Sequence, residues 1–324
     1  MDLAGINALF SPPSDPTLLA VGHYDLRLVG LSVLVAIFAS WMALRLASHS
    51  NQKSTPALRA VALITGTLSL GAGVWAMHFI GMLAFSVCAV TYDPAITLWS
   101  MLPSIGASAL ALHLIGGREI RPWQLIGGGI AVGAGIGAMH YTGMAAMQMA
   151  PILRYDPVTF GVSIIVAVAL ATLALWVRFQ LQKMLISAVV MGLAISGMHY
   201  TGMAAARFVG HVPPGTTTNA GLLALIISAI TVAFTLLVMT LNGALRYREL
   251  VRQLRDRDAR QRALFATAAD GMVIFDAAGM IADCNASAEK IFARTRIQIV
   301  GHDLNALIGG TVGLRSGEAL AVVV

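Results

Sequence analysis

Histidine and methionine recur together in this chain in a pattern able to bind a soft metal ion. Three hexapeptides carry it: Met77-His78-Phe79-Ile80-Gly81-Met82, Met139-His140-Tyr141-Thr142-Gly143-Met144 and Met198-His199-Tyr200-Thr201-Gly202-Met203. Imidazole nitrogen and thioether sulfur together suit copper, the thioether favouring Cu(I). The candidate metal ligands are therefore His78, His140 and His199, with Met82, Met144 and Met203, and Met77, Met139 and Met198. In each copy the histidine and the second methionine are four residues apart, which places them on one helical face, one turn from each other. The glycine between them removes a side chain where a helix or ligand must come close. All three copies lie inside apolar segments, where a histidine is costly and is kept for a task. One copy alone reads as packing, since methionine fills irregular gaps. Three copies spaced by about 60 residues are a repeat, and a repeat points to a fold and a shared site at once.

The elements that must position these residues follow from composition. The chain is 57% hydrophobic and 11% charged, against roughly a quarter charged in a soluble domain, and its mean hydropathy is +0.79. This excludes an ordinary soluble enzyme. Seven runs reach the roughly 20 apolar residues that a membrane helix needs. They are Leu26–Ala47, Leu58–Phe85, Ala95–Ile115, Trp123–Met149, Val158–Val177, Met184–Phe208 and Gly221–Leu245. The expected fold class is an all-α membrane bundle of about seven transmembrane helices. Three repeated helix pairs build it, with the first helix as the extra one. Glycines recur ahead of each histidine, at Gly71 and Gly73, Gly133 and Gly135, and Gly192 with Ala194. An Asp-Pro turn recurs at Asp93-Pro94 and Asp156-Pro157.

Basic residues set the expected orientation. Lys53, then Arg118 and Arg121, then Arg178 and Lys183, then seven arginines between Arg246 and Arg262 follow the odd-numbered helices; the other loops hold only Arg154 and Arg207. The N-terminus is expected outside and the C-terminus inside. The motifs then fall on helices that run outward, each histidine about 22–30 Å from its helix start at 1.5 Å per residue, in one layer near the outer face. The net charge of +6 lies mostly in these loops and meets anionic headgroups, so no nucleic-acid partner is called for. Residues 1–25 form an extracytoplasmic segment without the basic start and apolar core of a signal peptide, and the first helix is expected to direct insertion. Of the two cysteines, Cys88 is expected near the outer face and Cys284 inside, so no disulfide framework follows.

The hexapeptides resemble the motif that gives the MHYT domain its name, a family of bacterial integral-membrane sensors. Met139-His140-Tyr141-Thr142 and Met198-His199-Tyr200-Thr201 match it literally, while the first copy has Phe79 and Ile80 in place of Tyr and Thr. The resemblance covers roughly residues 20–245, with the seven-helix membrane domain expected over 26–245, and implies sensing of a diatomic gas such as oxygen, CO or NO through bound copper. Tyr141 and Tyr200 are then candidates for hydrogen bonds that orient the ligand shell, or for anchors at the membrane interface.

Beyond Leu245 the composition changes. Residues 246–262 alternate Arg with Glu249, Asp256 and Asp258, and Tyr247, Leu250, Val251 and Leu254 form an apolar stripe. This reads as a cytoplasmic signalling helix or linker able to pair with a second copy of the chain, a homodimer. Residues 263–324 resemble the opening of a PAS domain, a partial α+β module. The expected elements are a strand ending at Asp276, a turn at Gly279, a strand over Met280–Cys284, Asn285 as cap of a helix Ala286–Phe292, and a final strand near the chain's end.

The function expected from these features is that of a membrane signal-input protein in the bacterial cytoplasmic (inner) membrane. It would sense a gas or redox state through copper and relay to a cytoplasmic output domain or protein. A copper or small-solute transporter and a haem-bearing electron-transfer protein are the competing readings. The sequence carries no cyclase, phosphodiesterase or kinase motif, so enzymatic output is not expected, and the last membrane segment has no lysine for a retinal Schiff base.

Overall fold

The computed structural model describes residues 9–10, 18–50, 56–88, 90–115, 121–181, 183–210, 220–276, 278–308 and 321–323. The chain divides into two compact units, Met1–Leu245 and Arg246–Val324.

The first unit opens with strand β1 (His23–Tyr24) and helices α1 (Leu26–Ser50) and α2 (Pro56–Leu83), followed by strands β2 (Phe85–Ser86) and β3 (Thr91–Tyr92). Helices α3 (Pro94–Trp99), α4 (Met101–Ile115) and α5 (Pro122–Ala145) come next, then β4 (Met147–Gln148) and β5 (Ile152–Tyr155). Helices α6 (Pro157–Leu181) and α7 (Met184–Ala205), strand β6 (Ala206–Val209) and α8 (Ala220–Thr267) complete the series. Proline opens α2, α3, α5 and α6, at the position where its missing N–H costs nothing. Asp93 caps α3, its carboxylate accepting from Ile96 N at 2.9 Å.

Among the described residues, six segments are long and apolar enough to cross a membrane: Leu26–Ala47, Pro56–Leu83, Pro94–Ile115, Pro157–Gln180, Met184–Ala205 and a span within Gly221–Thr267. The fourth expected segment is also a helix, α5, of 24 residues. Its six glycines between Gly127 and Gly137 lower its apolarity beneath that of the others. The third segment is interrupted at Ser100, between α3 and α4. The segments expected to run helical to Phe85, Met149 and Phe208 end earlier, because the chain turns into β2, β4 and β6 there.

Six helical segments close into a ring, each packed on its two neighbours in the order α1, α2, α3–α4, α5, α6, α7 and back to α1. The three motif helices, α2, α5 and α7, also touch one another across the middle. One joint is built three times. The segment before each non-motif helix pairs with the segment after its motif helix: β1 with β2, β3 with β4, β5 with β6, all antiparallel. At each joint an aspartate N–H donates to an alanine carbonyl: Asp25 to Ala84 at 2.8 Å, Asp93 to Ala146 at 2.9 Å, Asp156 to Ala205 at 2.9 Å. The three pairs are therefore α1 with α2, α3–α4 with α5, and α6 with α7. The expectation that the first helix stands outside the pairs is corrected: it belongs to the first pair, and α8 is the helix left over. Residues of α8 up to Leu245 reach α2 by two polar contacts, Asn242 Nδ2 donating to Thr65 Oγ1 at 3.0 Å and Ser69 Oγ to Thr235 Oγ1 at 3.2 Å.

Close approach explains the recurring glycine seven residues before each histidine. A Cβ at Gly71 would stand 3.0 Å from Ile105 Cα of α4, at Gly133 2.7 Å from Val168 Cα of α6, and at Gly192 2.7 Å from Ile37 Cα of α1. Backbones meet there because no side chain separates them, as in membrane helix packing generally. Two apolar clusters among those in this unit bear on the motifs. One holds Leu70, Val74, Met77, Leu112, Met139, Leu175, Met191 and Ile195. The other, at the motif end, holds Met82, Met144, Met203, Tyr155 and Phe208.

In the second unit, β7 (Met272–Phe275) is flanked by β8 (Ile281–Cys284) and β9 (Ala321–Val323) in one antiparallel sheet. Helices α9 (Ala286–Phe292), α10 (Arg296–Ile299) and α11 (Leu304–Ile308) complete it. Val273, Phe275, Ile281, Cys284, Ala288, Ile299 and Leu304 form its core. Gly279 turns the chain with φ +81°, a conformation open to glycine. Asn285 caps α9 as expected, its side chain accepting from Ala288 N at 2.8 Å. Along the part of α8 that belongs here, Tyr247, Leu250 and Leu254 are exposed.

Candidate metal centre

Each motif histidine sits six residues before the alanine that closes its joint, so the joints place all three at one depth. The rings converge. His78 Nδ1 lies 3.1 Å from His199 Nδ1 and 3.2 Å from His140 Nδ1, and His140 Nδ1 lies 3.3 Å from His199 Nδ1. The ring planes stand at 85°, 85° and 86° to one another, with centroids 5.0–5.1 Å apart. All three side chains are buried, His78 and His140 completely.

The outward nitrogens are as ordered as the inward ones. His78 Nε2 faces Gly143, His140 Nε2 faces Gly202, and His199 Nε2 faces Gly81. Each copy thus lends its glycine to the histidine of another, in a cycle. A Cβ on any of the three glycines would fall 2.2–2.4 Å from the nitrogen, so only glycine leaves room for the ring. His140 Nε2 and His199 Nε2 approach the backbone of Gly202 and Gly81 in a geometry looser than a full hydrogen bond.

This arrangement has a chemical consequence. A neutral imidazole nitrogen is either a donor or an acceptor. Three Nδ1 atoms in mutual contact cannot each give and take, so protons alone do not satisfy the cycle. A cation held by the three nitrogens would. By the geometry of a triangle with these sides, the centre lies about 1.9 Å from each nitrogen, close to the 2.0–2.1 Å of a zinc–imidazole bond. With Nδ1 turned to an ion, each ring proton would rest on Nε2, toward backbone, the usual outer support for a ligating histidine. Among the described residues, these three histidines are the group of His, Cys, Asp or Glu able to hold a metal ion, and no carboxylate joins them. Neutral nitrogen donors beside thioethers fit copper better than a hard cation.

The methionines divide. Met82, Met144 and Met203 are buried together in the motif-end cluster, one turn beyond the histidines. Met77 and Met139 belong to the other cluster, and Met198 lines a cavity beside it. Met147 and Met149 pack against the motif-end cluster, Met147 from strand β4. Cys88 is half-buried in the segment after β2 and Cys284 is buried in β8; both are free. His23 and His113 are exposed, and His211 lies outside the described residues.

Tyr141 and Tyr200 do not hydrogen-bond to the histidines. Tyr200 Oη meets Ser32 Oγ of α1 at 2.8 Å, and Tyr141 Oη meets Ser163 Oγ of α6. They tie motif helices to ring neighbours. The first copy has Phe79, and the hydroxyl of the matching serine, Ser100, donates to Thr97 O at 2.7 Å. A second set of aromatic residues covers the first: Tyr24 packs on Tyr200, Tyr92 on Phe79 and Tyr155 on Tyr141, with centroids at 5.9, 5.5 and 5.2 Å. Burial pushes the Tyr92 phenol up to about 12; burial, then the neighbouring Tyr200, does the same to Tyr24. The Tyr155 phenol is also raised by burial. These residues escaped the reading of the sequence, although their signal is there: Tyr24-Asp25, Tyr92-Asp93 and Tyr155-Asp156, each with a serine seven residues after the aspartate, at Ser32, Ser100 and Ser163.

Fold and site together describe a multi-pass membrane signalling protein with a histidine-centred repeat. The family described as "Bacterial signalling protein N terminal repeat", MHYT, matches residues 16–61, 71–128, 133–190 and 192–253, and a PAS domain family matches residues 259–320. The chain belongs to the MHYT family. It is 42% identical over 252 residues to the bifunctional diguanylate cyclase/cyclic di-GMP phosphodiesterase MucR of Pseudomonas aeruginosa, covering 71% of this chain and 36% of that protein. It is 30% identical over 286 residues to the signaling protein YkoW of Bacillus subtilis, covering 84% of this chain and 36% of that one. With the cyclic di-GMP phosphodiesterase NbdA of Pseudomonas aeruginosa, identity is 36% over 228 residues, covering 67% and 28%. The chain thus spans about a third of the length of these curated relatives. No solved structure matches.

Proposed function

We propose that the bundle is a copper-dependent sensor of a diatomic gas or of redox state, which passes its signal toward the C-terminal unit. The observation that carries this reading is the triangle of Nδ1 atoms at 3.1–3.3 Å. His78, His140 and His199 hold the ion, and Met82, Met144 and Met203 are the nearest soft donors along each helix. A bound copper ion would supply a redox-active centre able to meet a small molecule. The protein supplies burial, a fixed ring orientation and exclusion of water.

In this reading all seven hydrophobic segments cross the bacterial inner membrane, α5 included, with the N-terminus outside. The basic residues after Leu245 then lie at the cytoplasmic face. The output is another domain or partner protein, and two of the relatives carry names tied to cyclic di-GMP turnover. The exposed stripe of Tyr247, Leu250 and Leu254 favours pairing with a second copy. A haem reading finds no support in the geometry, because Nδ1 atoms in mutual contact leave no gap for a porphyrin plane. A transport path finds little either, since the ring interior away from the motif end is closed by apolar side chains.

Metal analysis, copper titration and electron paramagnetic resonance of the purified protein test the proposal. About one copper per chain is expected, lost when His78, His140 and His199 are all changed to alanine. Zinc in its place, or copper binding unchanged in the triple variant, sinks it.

A further inference from the structure

The histidine triad has different surroundings on its two sides. Toward the motif end stand Met82, Met144 and Met203, four residues after each histidine and all buried. In the other direction stand Val74, Ile136 and Ile195, four residues before each histidine, about one turn or 6 Å along the axis. These three residues, one from each motif helix, share the wall of a single cavity.

The cavity leaves ≈ 30 Å³ for the centre of a water-sized sphere, about twice what one water needs. Size alone would admit water, but chemistry does not. Ser108 carries the one polar side chain in the wall, and its hydroxyl cannot supply the two to four partners that a buried water requires. Cavities of this kind stay dry and take up apolar atoms such as xenon. The space exists because α4 and α6 face it with alanines, Ala111 and Ala171 among them. A well-packed core would have closed it with larger side chains, since lining atoms without neighbours forfeit dispersion energy.

We propose that this cavity is a docking site for one small apolar molecule of the diatomic class, which reaches the histidine triad from the side opposite Met82, Met144 and Met203. Its purpose rests on the sensor reading above; its occupancy does not. Val74, Ile136 and Ile195, each one turn from its histidine, are aliphatic, so a molecule held beside them meets the histidines without crossing a polar layer. Met82, Met144 and Met203 close the other side.

Crystals of the full chain pressurised with xenon test the site without any metal. An anomalous peak is expected between Val74, Ile136 and Ile195. It should vanish in Ala171→Leu and in Ala111→Leu, with Ala171→Val as a milder filling should the larger side chains prevent folding. No peak in the native protein, or a peak that survives in the filled variants, overturns the proposal. In copper-loaded protein, carbon monoxide followed by its infrared stretch should bind more slowly to Ala171→Leu at unchanged copper content. An unchanged rate overturns delivery through the cavity. Xenon binding in a protein that takes up no copper would leave the docking site standing and sink the sensor reading alone.

Discussion

His78 of the first motif points its Nε2 at Gly143 of the second, and a Cβ on Gly143 would lie 2.2 Å from that nitrogen. The glycine of the motif therefore serves a histidine 65 residues away in the chain (143 less 78), not its own.

Gly143→Ala should displace the His78 ring and open the triangle. Copper affinity is expected to fall at least about tenfold, or about 1.4 kcal/mol, while helix content by circular dichroism stays the same. Gly127→Ala is the control, because nothing lies within 4 Å of a Cβ there. It should be neutral or stabilise α5 by up to about 1 kcal/mol. Equal copper binding by native protein and Gly143→Ala would show that the ring does not need its seat.

The thioethers should tune the metal and not create the site. Changing Met82, Met144 and Met203 together to leucine keeps buried volume and removes sulfur. Affinity for Cu(I) should drop roughly tenfold while Zn(II) affinity changes little, following donor softness. Competition titrations with the two ions measure this. Parallel losses for both ions would mean that the methionines act by packing.

Tyr200 and Ser32 join α7 to α1 by one hydrogen bond of 2.8 Å. Tyr200→Phe and Ser32→Ala should each cost about 1 kcal/mol, and the double variant little more than either single one. Thermal melting in detergent reports the cycle. Additive losses would argue against the bond.

Burial raises the Tyr24 and Tyr92 phenols to about 12. The folded state then holds those protons where the unfolded chain, titrating near 10, has lost them. Their contribution is fully present below about pH 10 and falls away as pH rises toward 12. Absorbance near 295 nm should show these tyrosines ionising late, with Tyr92→Phe removing one late-titrating phenol. Early titration of every tyrosine would contradict the burial at the joints.

Asn285 serves the second unit three times. Its carbonyl oxygen accepts from Ala288 N at 2.8 Å and Met272 N at 2.9 Å, and its Nδ2 donates to Asp270 O at 2.9 Å. Asn285→Ala should destabilise this unit by about 2–3 kcal/mol, while Asn285→Asp should cost less, since it retains the cap. Hydrogen exchange across residues 272–292 would locate the loss; unaltered protection there would refute it.

Much of the fold was legible because it rests on local signals. Long apolar runs bounded by Asp-Pro and charged turns mark the membrane helices, and Asn285 marks the start of α9. The helical run that was read through Met149 stops at Ala145 because its last residues pair as β4 with Thr91 and Tyr92, a partner more than fifty residues distant. The seven-segment reading met one physical obstacle in α5, whose glycines serve packing at the expense of apolarity. The first helix was set apart because its joint uses Tyr24-Asp25 without the proline that flags the other two.

The candidate site divides along the same line. The sequence by itself determined the donor types, their number and their depth: three histidines, each with methionine one turn away, repeated at nearly equal spacing. Those properties follow from helical periodicity and from the cost of a polar side chain in an apolar segment. Only the tertiary structure decided that the three Nδ1 atoms meet, that each Nε2 rests on the glycine of another copy, and that Tyr141 and Tyr200 bind serines and not histidines. Apart from Tyr141 with Ser163, 22 positions apart, these contacts join residues about 60 to 170 positions apart, and all of them depend on how the helices rotate when the ring closes. Periodicity along one helix specifies a face, and the closure of six helical segments specifies what that face meets.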